Sequence, residues 1–309
     1  MISQWFSMNS VLIDQTLTVF LLALSIQIPL RLGVISFAGV GYYAIGGYGT
    51  GILVLQHGWN NVTAIIVSTL IAAVVATLLG FVIAHLNGLY LGMATVSFSL
   101  LFSAIAINGG SITGGAVGLY GLIGPIETWH VALVVVVIVA LIALSERGGL
   151  SRRIDAAKED SQLAGALGIN VIRMRRLSFP ISGALGGLAG AFAISLKSTI
   201  HPESINFSLV ILALTIIIIG GQASWVGALF GSLFFVWLPE TLEFVGDWEA
   251  IVYGIVVVLA AVYLPGGVVV VYKDWRHRQR VKKYLAKADA APPPRGETSE
   301  MVGAKGEGS

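Results

Sequence analysis

Cysteine is absent from this chain of 309 residues, and charge is scarce: 11% of residues are Asp, Glu, Lys or Arg, against 56% hydrophobic. Without a thiol there is no disulfide, no thiolate nucleophile and no Cys-based metal site. The shortage of charge excludes more. A soluble domain is about a quarter charged, because polar side chains have to cover its outside. This chain lacks them, so lipid must be the outer solvent for much of it. From Leu32 to Ser145 there is no Lys or Arg, and Glu127 is the only acid. A net charge of +2 gives no footing for nucleic acid.

Enzymatic constellations are missing too. No G-x-x-x-x-G-K-[ST] phosphate loop is present; Lys197-Ser198 is preceded by Leu196, not glycine. The five histidines (His57, His85, His130, His201, His277) are scattered, with no metal-binding spacing. No paired carboxylates occupy the centre of an apolar run. Asp14 lies near the start of the first run, within reach of the interface; Gln27 and Asn108 suit helix–helix contacts better than a solute. The chain reads as no enzyme, with no cofactor of its own.

What is present is apolar length. A spanning helix needs about 20 apolar residues. Nine such runs occur, near 12–30, 32–55, 62–85, 89–108, 130–146, 177–197, 207–221, 224–239 and 249–265. The expected fold is therefore all-α, a polytopic transmembrane bundle of about nine spans. The glycine-crowded second run is a candidate for a broken segment. The short pair beside Gly220-Gly221 is a candidate for a re-entrant or tilted one. Trp5, Trp59, Trp129, Trp225, Trp237 and Trp248 fall near run ends, as an interfacial belt would place them.

Basic residues orient the bundle. Arg147, Arg152, Arg153, Lys158, Arg173, Arg175 and Arg176 lie in one loop; Lys273, Arg276, Arg278, Arg280, Lys282, Lys283 and Lys287 lie in the tail. Both are expected to be cytoplasmic, which puts the N-terminus on the periplasmic side. The segments 57–61, 108–129, 198–206 and 240–248, expected outside, contain no Lys or Arg. The N-terminal stretch has no basic n-region before its apolar run and reads as an uncleaved start. Residues 1–272 are expected to form the transmembrane domain, with a cytoplasmic loop at 147–176. Residues 273–309 are expected to form a basic and disordered tail, opening with a short helix on the membrane surface.

Glycine is abundant, 38 residues. Gly183-xxx-Gly187, Gly186-xxx-Gly190, Gly227-xxx-Gly231, Gly88-xxx-Gly92 and Gly47-xxx-Gly51 make flat strips that let helix backbones touch. Such strips serve either packing within one subunit or a seam between subunits. Gly39, Gly41, Gly46, Gly47, Gly49 and Gly51 are denser still. Each glycine costs a helix about 1 kcal/mol relative to alanine. This stretch is either a broken helix lining a pathway or a kinked, buried one. The uncharged segment from Asn108 to Pro125, with Thr113, Gly114 and Gly115, is either a cap over the pathway or a plain connector.

The loop segment Ser151–Gly168 is expected to be one short amphipathic helix, capped by Ser151 and ended by Gly168. Ile154, Ala157, Ala164 and Leu167 lie near one face, with Lys158, Glu159 and Asp160 elsewhere. Its sequence AAKEDSQLAGALGIN, running on into a glycine-rich span, resembles the coupling-loop signature of LivM-type permeases of the branched-chain amino acid ABC transporter family. The matches are Lys158, Glu159, Asp160, Ala164, Ala166, Leu167, Gly168, Ile169 and Asn170; Asp155 departs, where the family often has a basic residue. SITGGAVGLYGLIGP is similar to the family's TGG element through Thr113, Gly114, Gly115, Gly118, Leu119 and Gly121. A further element matches through Gly220, Gly221, Ser224, Gly227, Gly231 and Leu238-Pro239-Glu240. The resemblance spans about residues 33 to 265.

This resemblance implies an importer subunit in a bacterial inner membrane, transporting branched-chain amino acids. Closely similar permeases transport urea, short amides or other amino acids. It implies a second, related permease, two cytoplasmic ATPase subunits that hydrolyse the ATP, and an extracytoplasmic solute-binding protein. Ile154, Lys158, Glu159, Asp160, Ala164, Leu167 and Gly168 are the expected ATPase-coupling residues. Gly39, Gly41, Gly46, Gly47, Thr113, Gly114 and Gly115 are the pathway candidates. An ion-coupled transporter is the alternative, but it would want ionisable groups in its spans.

Overall fold

In lipid no water is available to the backbone, so each apolar run has to satisfy its own N–H and C=O groups as helix. The computed structural model describes residues 9–83, 86, 88–122, 124–146, 148–222, 224–242, 246, 248–263 and 267. Among them are α1 (Ser10–Arg31), α2 (Gly39–Leu55), α3 (Asn61–Val82), α4 (Gly88–Asn108), α5 (Gly110–Thr113) and α6 (Thr128–Glu146). They continue with α7 (Gly149–Glu159), α8 (Ser161–Ala166), α9 (Val171–Lys197), α10 (Phe207–Gly220), α11 (Trp225–Leu242) and α12 (Glu249–Tyr263). Two short strands, β1 (Leu119–Tyr120) and β2 (Thr199–Ile200), pair antiparallel. The N-terminal stretch 1–8, with Trp5, and the basic tail expected at 273–309 lie outside the described residues.

Each of the nine apolar runs carries a helix, but not all are of spanning length. Seven helical segments among the described residues are long and apolar enough to cross a membrane. The second and ninth runs carry helices of 17 and 15 residues. The bundle is the all-α polytopic fold expected; the count of nine spans is not reproduced.

The second run is interrupted around Gly33, which has φ +73°, and not at the glycines crowded between 39 and 51. Residues 32–38 are non-helical, and α2 then runs unbroken through Gly39–Leu55. The start of α2 is buried, so its amide groups need partners other than water. Thr95 and Ser99, one turn apart on α4, supply them. Phe37 N donates to Thr95 Oγ1 at 2.9 Å and Gly41 N to Ser99 Oγ at 3.1 Å. Ser99 Oγ in turn donates to Phe37 O at 3.0 Å.

The centre of the bundle is α9, packed by α1, α2 and α3. Its glycines face two neighbours. Gly183 and Gly187 admit Ala76 and Ala72 of α3, while Gly186 and Gly190 admit Gly39 O, Tyr42 and Tyr43 O of α2. Gly227 and Gly231 of α11 likewise meet the backbone of α10 at Gly220 and Ile216. These strips therefore pack helices within the subunit. The tryptophans divide: Trp59, Trp129 and Trp248 are exposed, whereas Trp225 and Trp237 pack against the core. Trp237 Nε1 donates to Thr16 Oγ1 at 3.1 Å, so those two are core residues and not a free belt. α6 is the least buried of the long helices.

Candidate functional site

The segment expected to be one helix is an elbow of two. α7 begins at Gly149 without a side-chain cap, and Ser151 lies inside it, donating to Asp155 Oδ2 at 3.5 Å. α7 ends where Asp160 turns extended, at φ −144° and ψ 104°. The Asp160 carboxylate then caps α8, accepting from Gln162 N at 2.8 Å and Leu163 N at 3.0 Å. An aspartate cap outweighs the alanine-rich helix propensity on either side, because it satisfies amides that continued helix would bond otherwise.

The LGIN tetrapeptide has a physical reading as stop and restart. Gly168 adopts φ +81°, where other residues are strained. Ile169 N donates to Ala164 O at 3.0 Å, closing α8. Asn170 caps α9 by accepting from Arg173 N at 2.9 Å.

The elbow is anchored by its smallest side chains. Ala157 and Ala164 are buried in a cluster with Leu32, Val34, Ile83, Val171 and Phe179, and Ile154 packs against it. Lys158, Glu159, Asp160 and Gly168 are exposed. Leu163 and Leu167 stand out at 60% and 71% exposure. Leu167, expected on the apolar face with Ala164, instead follows the last residue of α8 as its C-cap and is exposed.

Beside the elbow lies a polar junction that the sequence reading missed. Arg31 Nη2, at the end of α1, pairs with Glu146 Oε1, at the end of α6, at 2.6 Å. Both side chains are mostly buried, at 12% and 21% exposure. Glu146 Oε1 also accepts from Trp225 N at 3.1 Å, and its Oε2 from Ser224 Oγ at 3.3 Å. Gln27 Nε2 donates to Gly221 O at 3.2 Å and Ser224 O at 3.0 Å, the packing contact expected of it. Lys158 of α7 donates to Gln222 Oε1 at 3.3 Å. The available signal was a charge ending each of two apolar runs, Arg31 and Glu146, since charges at a span need a partner.

At the other end of α2 the TGG element folds into a cap. Thr113 Oγ1 donates to Ala106 O at 2.6 Å. Gly114, Gly115, Gly118 and Gly121 all have positive φ. A side chain at Gly118 would strike the Ile200 carbonyl. β1 pairs with β2 through Leu119↔Ile200 and Tyr120↔Thr199. Ser103 Oγ donates to Pro202 O at 3.1 Å, and Gln56 Nε2 to Ile112 O at 2.6 Å. The segment is thus bound to the α9–α10 connection and to the end of α2, with Ile112, Val117 and Tyr120 exposed on it.

The pathway candidates separate into two places. Gly39, Gly41, Gly46 and Gly47 are buried along α2, against Ser25, Phe98 and Ser99, Gly187, and Gly190 with Ile200 respectively. Thr113, Gly114 and Gly115 sit in the cap. Ser25 Oγ and Tyr42 OH are buried near that stretch without a hydrogen-bond partner among the described residues. Apolar clefts of about 520 and 350 Å³ flank α6, the first against Leu188 and Phe192, the second against Leu177 and Ile181. Among the described residues no group of three His, Cys, Asp or Glu converges to hold a metal ion.

Comparison with known proteins agrees with this arrangement. The family described as "Branched-chain amino acid transport system / permease component" matches residues 10–261. The chain is 25% identical over 313 residues to the high-affinity branched-chain amino acid transport system permease protein LivM of Escherichia coli (strain K12), covering 89% of this chain and 73% of that protein. Its identity to LivM of Salmonella typhimurium is 24% over 287 residues, covering 82% and 68%. A shorter match, 32% over 111 residues, joins 35% of this chain to 36% of the LivH permease of Escherichia coli (strain K12). No solved structure gives a significant match. The chain belongs to the branched-chain amino acid transport system permease family and is a multi-pass permease subunit of that ABC importer type.

Proposed function

We propose that the subunit moves branched-chain amino acids inward across a bacterial inner membrane, and that the α7–α8 elbow receives the force of two separate ATPase subunits. The supporting observation is the exposed pair Leu163 and Leu167 on a short helix that Ala157 and Ala164 hold against the bundle. Exposed leucines rimmed by Glu159, Asp160 and Gln162 suit a protein partner better than lipid. The arginines around the elbow, Arg152, Arg153, Arg173, Arg175 and Arg176, support a cytoplasmic placement. The cap then faces the periplasm, and its exposed Ile112, Val117 and Tyr120 suit a solute-binding protein. The poorly covered α6 and its flanking clefts favour a second permease as neighbour. The buried glycines of α2, with Ser25 and Tyr42 beside them, are the stretch we assign to the pathway wall.

The test is assembly. Leu163→Arg combined with Leu167→Arg should abolish co-purification of the ATPase subunits while the variant still inserts and pairs with its partner permease. Retention of the ATPases by that variant would overturn the assignment. The solute is tested by substrate-stimulated ATP hydrolysis of the full complex over leucine, isoleucine, valine, urea and short amides. Stimulation by the amides alone would replace the amino-acid reading.

A further inference from the structure

The geometry points to a latch. We propose that the Arg31–Glu146 ion pair, with Gln27 and Gln222, hands displacement of α7 to the α10–α11 turn, which makes Glu146 a positioning residue for transport. This rests on the reading of α7–α8 as the receiver of force and says where that force goes next.

Three observations carry it. First, parts far apart in sequence converge on one carboxylate: Arg31 from α1, and Trp225 N and Ser224 Oγ from the start of α11. Gln27 of α1 grips the same turn through Gly221 O and Ser224 O. The turn itself is rigidly tied to both of its helices, because Gly220 and Gly227 meet backbone to backbone. A pull on the turn therefore moves α10 and α11 together.

Second, α7 touches this junction through Lys158. Its bond to Gln222 Oε1 at 3.3 Å is the one hydrogen bond from α7 to another element among the described residues. Third, the junction has room and an alternative partner. A cavity of about 50 Å³ is lined by Arg31, Glu146, Asp155, Lys158 and Gln222, so two cations and two carboxylates face space enough for water. Arg31 Nε is buried with no partner, so the guanidinium is not fully satisfied in this arrangement. Lys158 borders the same cavity as the carboxylate that Arg31 holds. Movement of α7 lets the ammonium exchange Gln222 for Glu146 and loosen Arg31. Two discrete pairings are what a coupling element requires.

The experiment uses the assembled transporter in proteoliposomes and reads ATP hydrolysed per solute moved. Glu146→Gln, Arg31→Gln and Lys158→Met should each raise that ratio about fivefold or more, the low end of ordinary coupling effects. The double variant Glu146→Gln with Arg31→Gln should match the single variants instead of multiplying them, since both act through one contact. It also leaves no unpaired buried charge, so it decides the matter if a single variant fails to fold. Unchanged ratios in the double variant, or effects that multiply, would overturn the latch. Because the chain has no cysteine, Lys158→Cys with Gln222→Cys can be bridged by a bifunctional thiol reagent. The bridged transporter should hydrolyse ATP without uptake; full uptake after bridging would also refute it. Failure of the latch leaves the Leu163 and Leu167 assembly result untouched, so the two readings are separable.

Discussion

Gly46 of α2 lies against the carbonyl group of Gly187 of α9 so closely that a side chain at position 46 would overlap it. Gly190 makes the reciprocal contact with the Tyr43 carbonyl. Without a hydrophobic driving force between helices in lipid, this van der Waals approach is a main source of association. The helix cost of glycine is thereby offset by contact that no other residue permits.

Gly46→Ala and Gly190→Ala should therefore each destabilise the subunit by about 1–3 kcal/mol, the usual cost of overpacking. Gly165→Ala is the control: nothing lies within 4 Å of a Cβ there, and alanine should be neutral or stabilising by up to about 1 kcal/mol. Thermal unfolding in detergent checks the contrast. Equal melting temperatures for all three variants would contradict the packing account.

The cap makes a second prediction. Gly118 has φ +79° and faces the Ile200 carbonyl, so Gly118→Ala meets strain and overlap at once. The β1–β2 pairing should open, exposing residues 110–122 to protease while the spans stay intact. Gly121→Ala shares the strained φ, at +84°, but faces open space, and should open the cap less. Limited proteolysis with mass mapping distinguishes the two; identical protection in both variants and the wild type would refute the assignment.

The spans were legible because apolarity is local: each run of side chains that lipid solvates better than water reports itself. The glycine strips were legible as packing surfaces, but their partners were not, since Gly46 and Gly187 are brought together only by the fold. Asp160 is the instructive error. Its capping role is written locally, yet alanine-rich sequence on both sides suggested one continuous helix; Leu167 was misplaced separately, because α8 ends just before it. The Arg31–Glu146 junction was invisible in detail, because a lone charge at the end of a span announces a need for a partner without naming it.

The elbow should straighten when its cap is removed. Asp160→Ala loses the bonds to Gln162 N and Leu163 N, at about 1 kcal/mol, and lets α7 continue into α8. Asp160→Asn keeps an acceptor and should preserve the bend. Because the chain has no cysteine, spin labels can be placed at positions 152 and 166, and they should move apart in the alanine variant only, as the two helices become one. If uptake depends on the outward set of Leu163 and Leu167, it should fall with alanine and persist with asparagine. Equal uptake by both variants would show that the bend is not needed.

Gln27 offers the sharpest stability test of the junction. It is fully buried, and its amide donates to two carbonyls of the α10–α11 turn, Gly221 O and Ser224 O. Gln27→Leu is close in volume, so it leaves little cavity, but it strands Gly221 O and takes an acceptor from Arg31, while Ser224 O keeps the Gly227 amide. The loss should be about 1–3 kcal/mol, the desolvation cost of an unmet buried polar group. Gln27→Glu replaces the donor with a second carboxylate facing two carbonyl oxygens, and should be worse than leucine despite the attraction of Arg31, because Arg31 is already held by Glu146. Melting temperatures in the order wild type, leucine, glutamate are expected. A glutamate variant as stable as the wild type would mean that Arg31 is free to leave Glu146, and that the pair is looser than its 2.6 Å contact indicates.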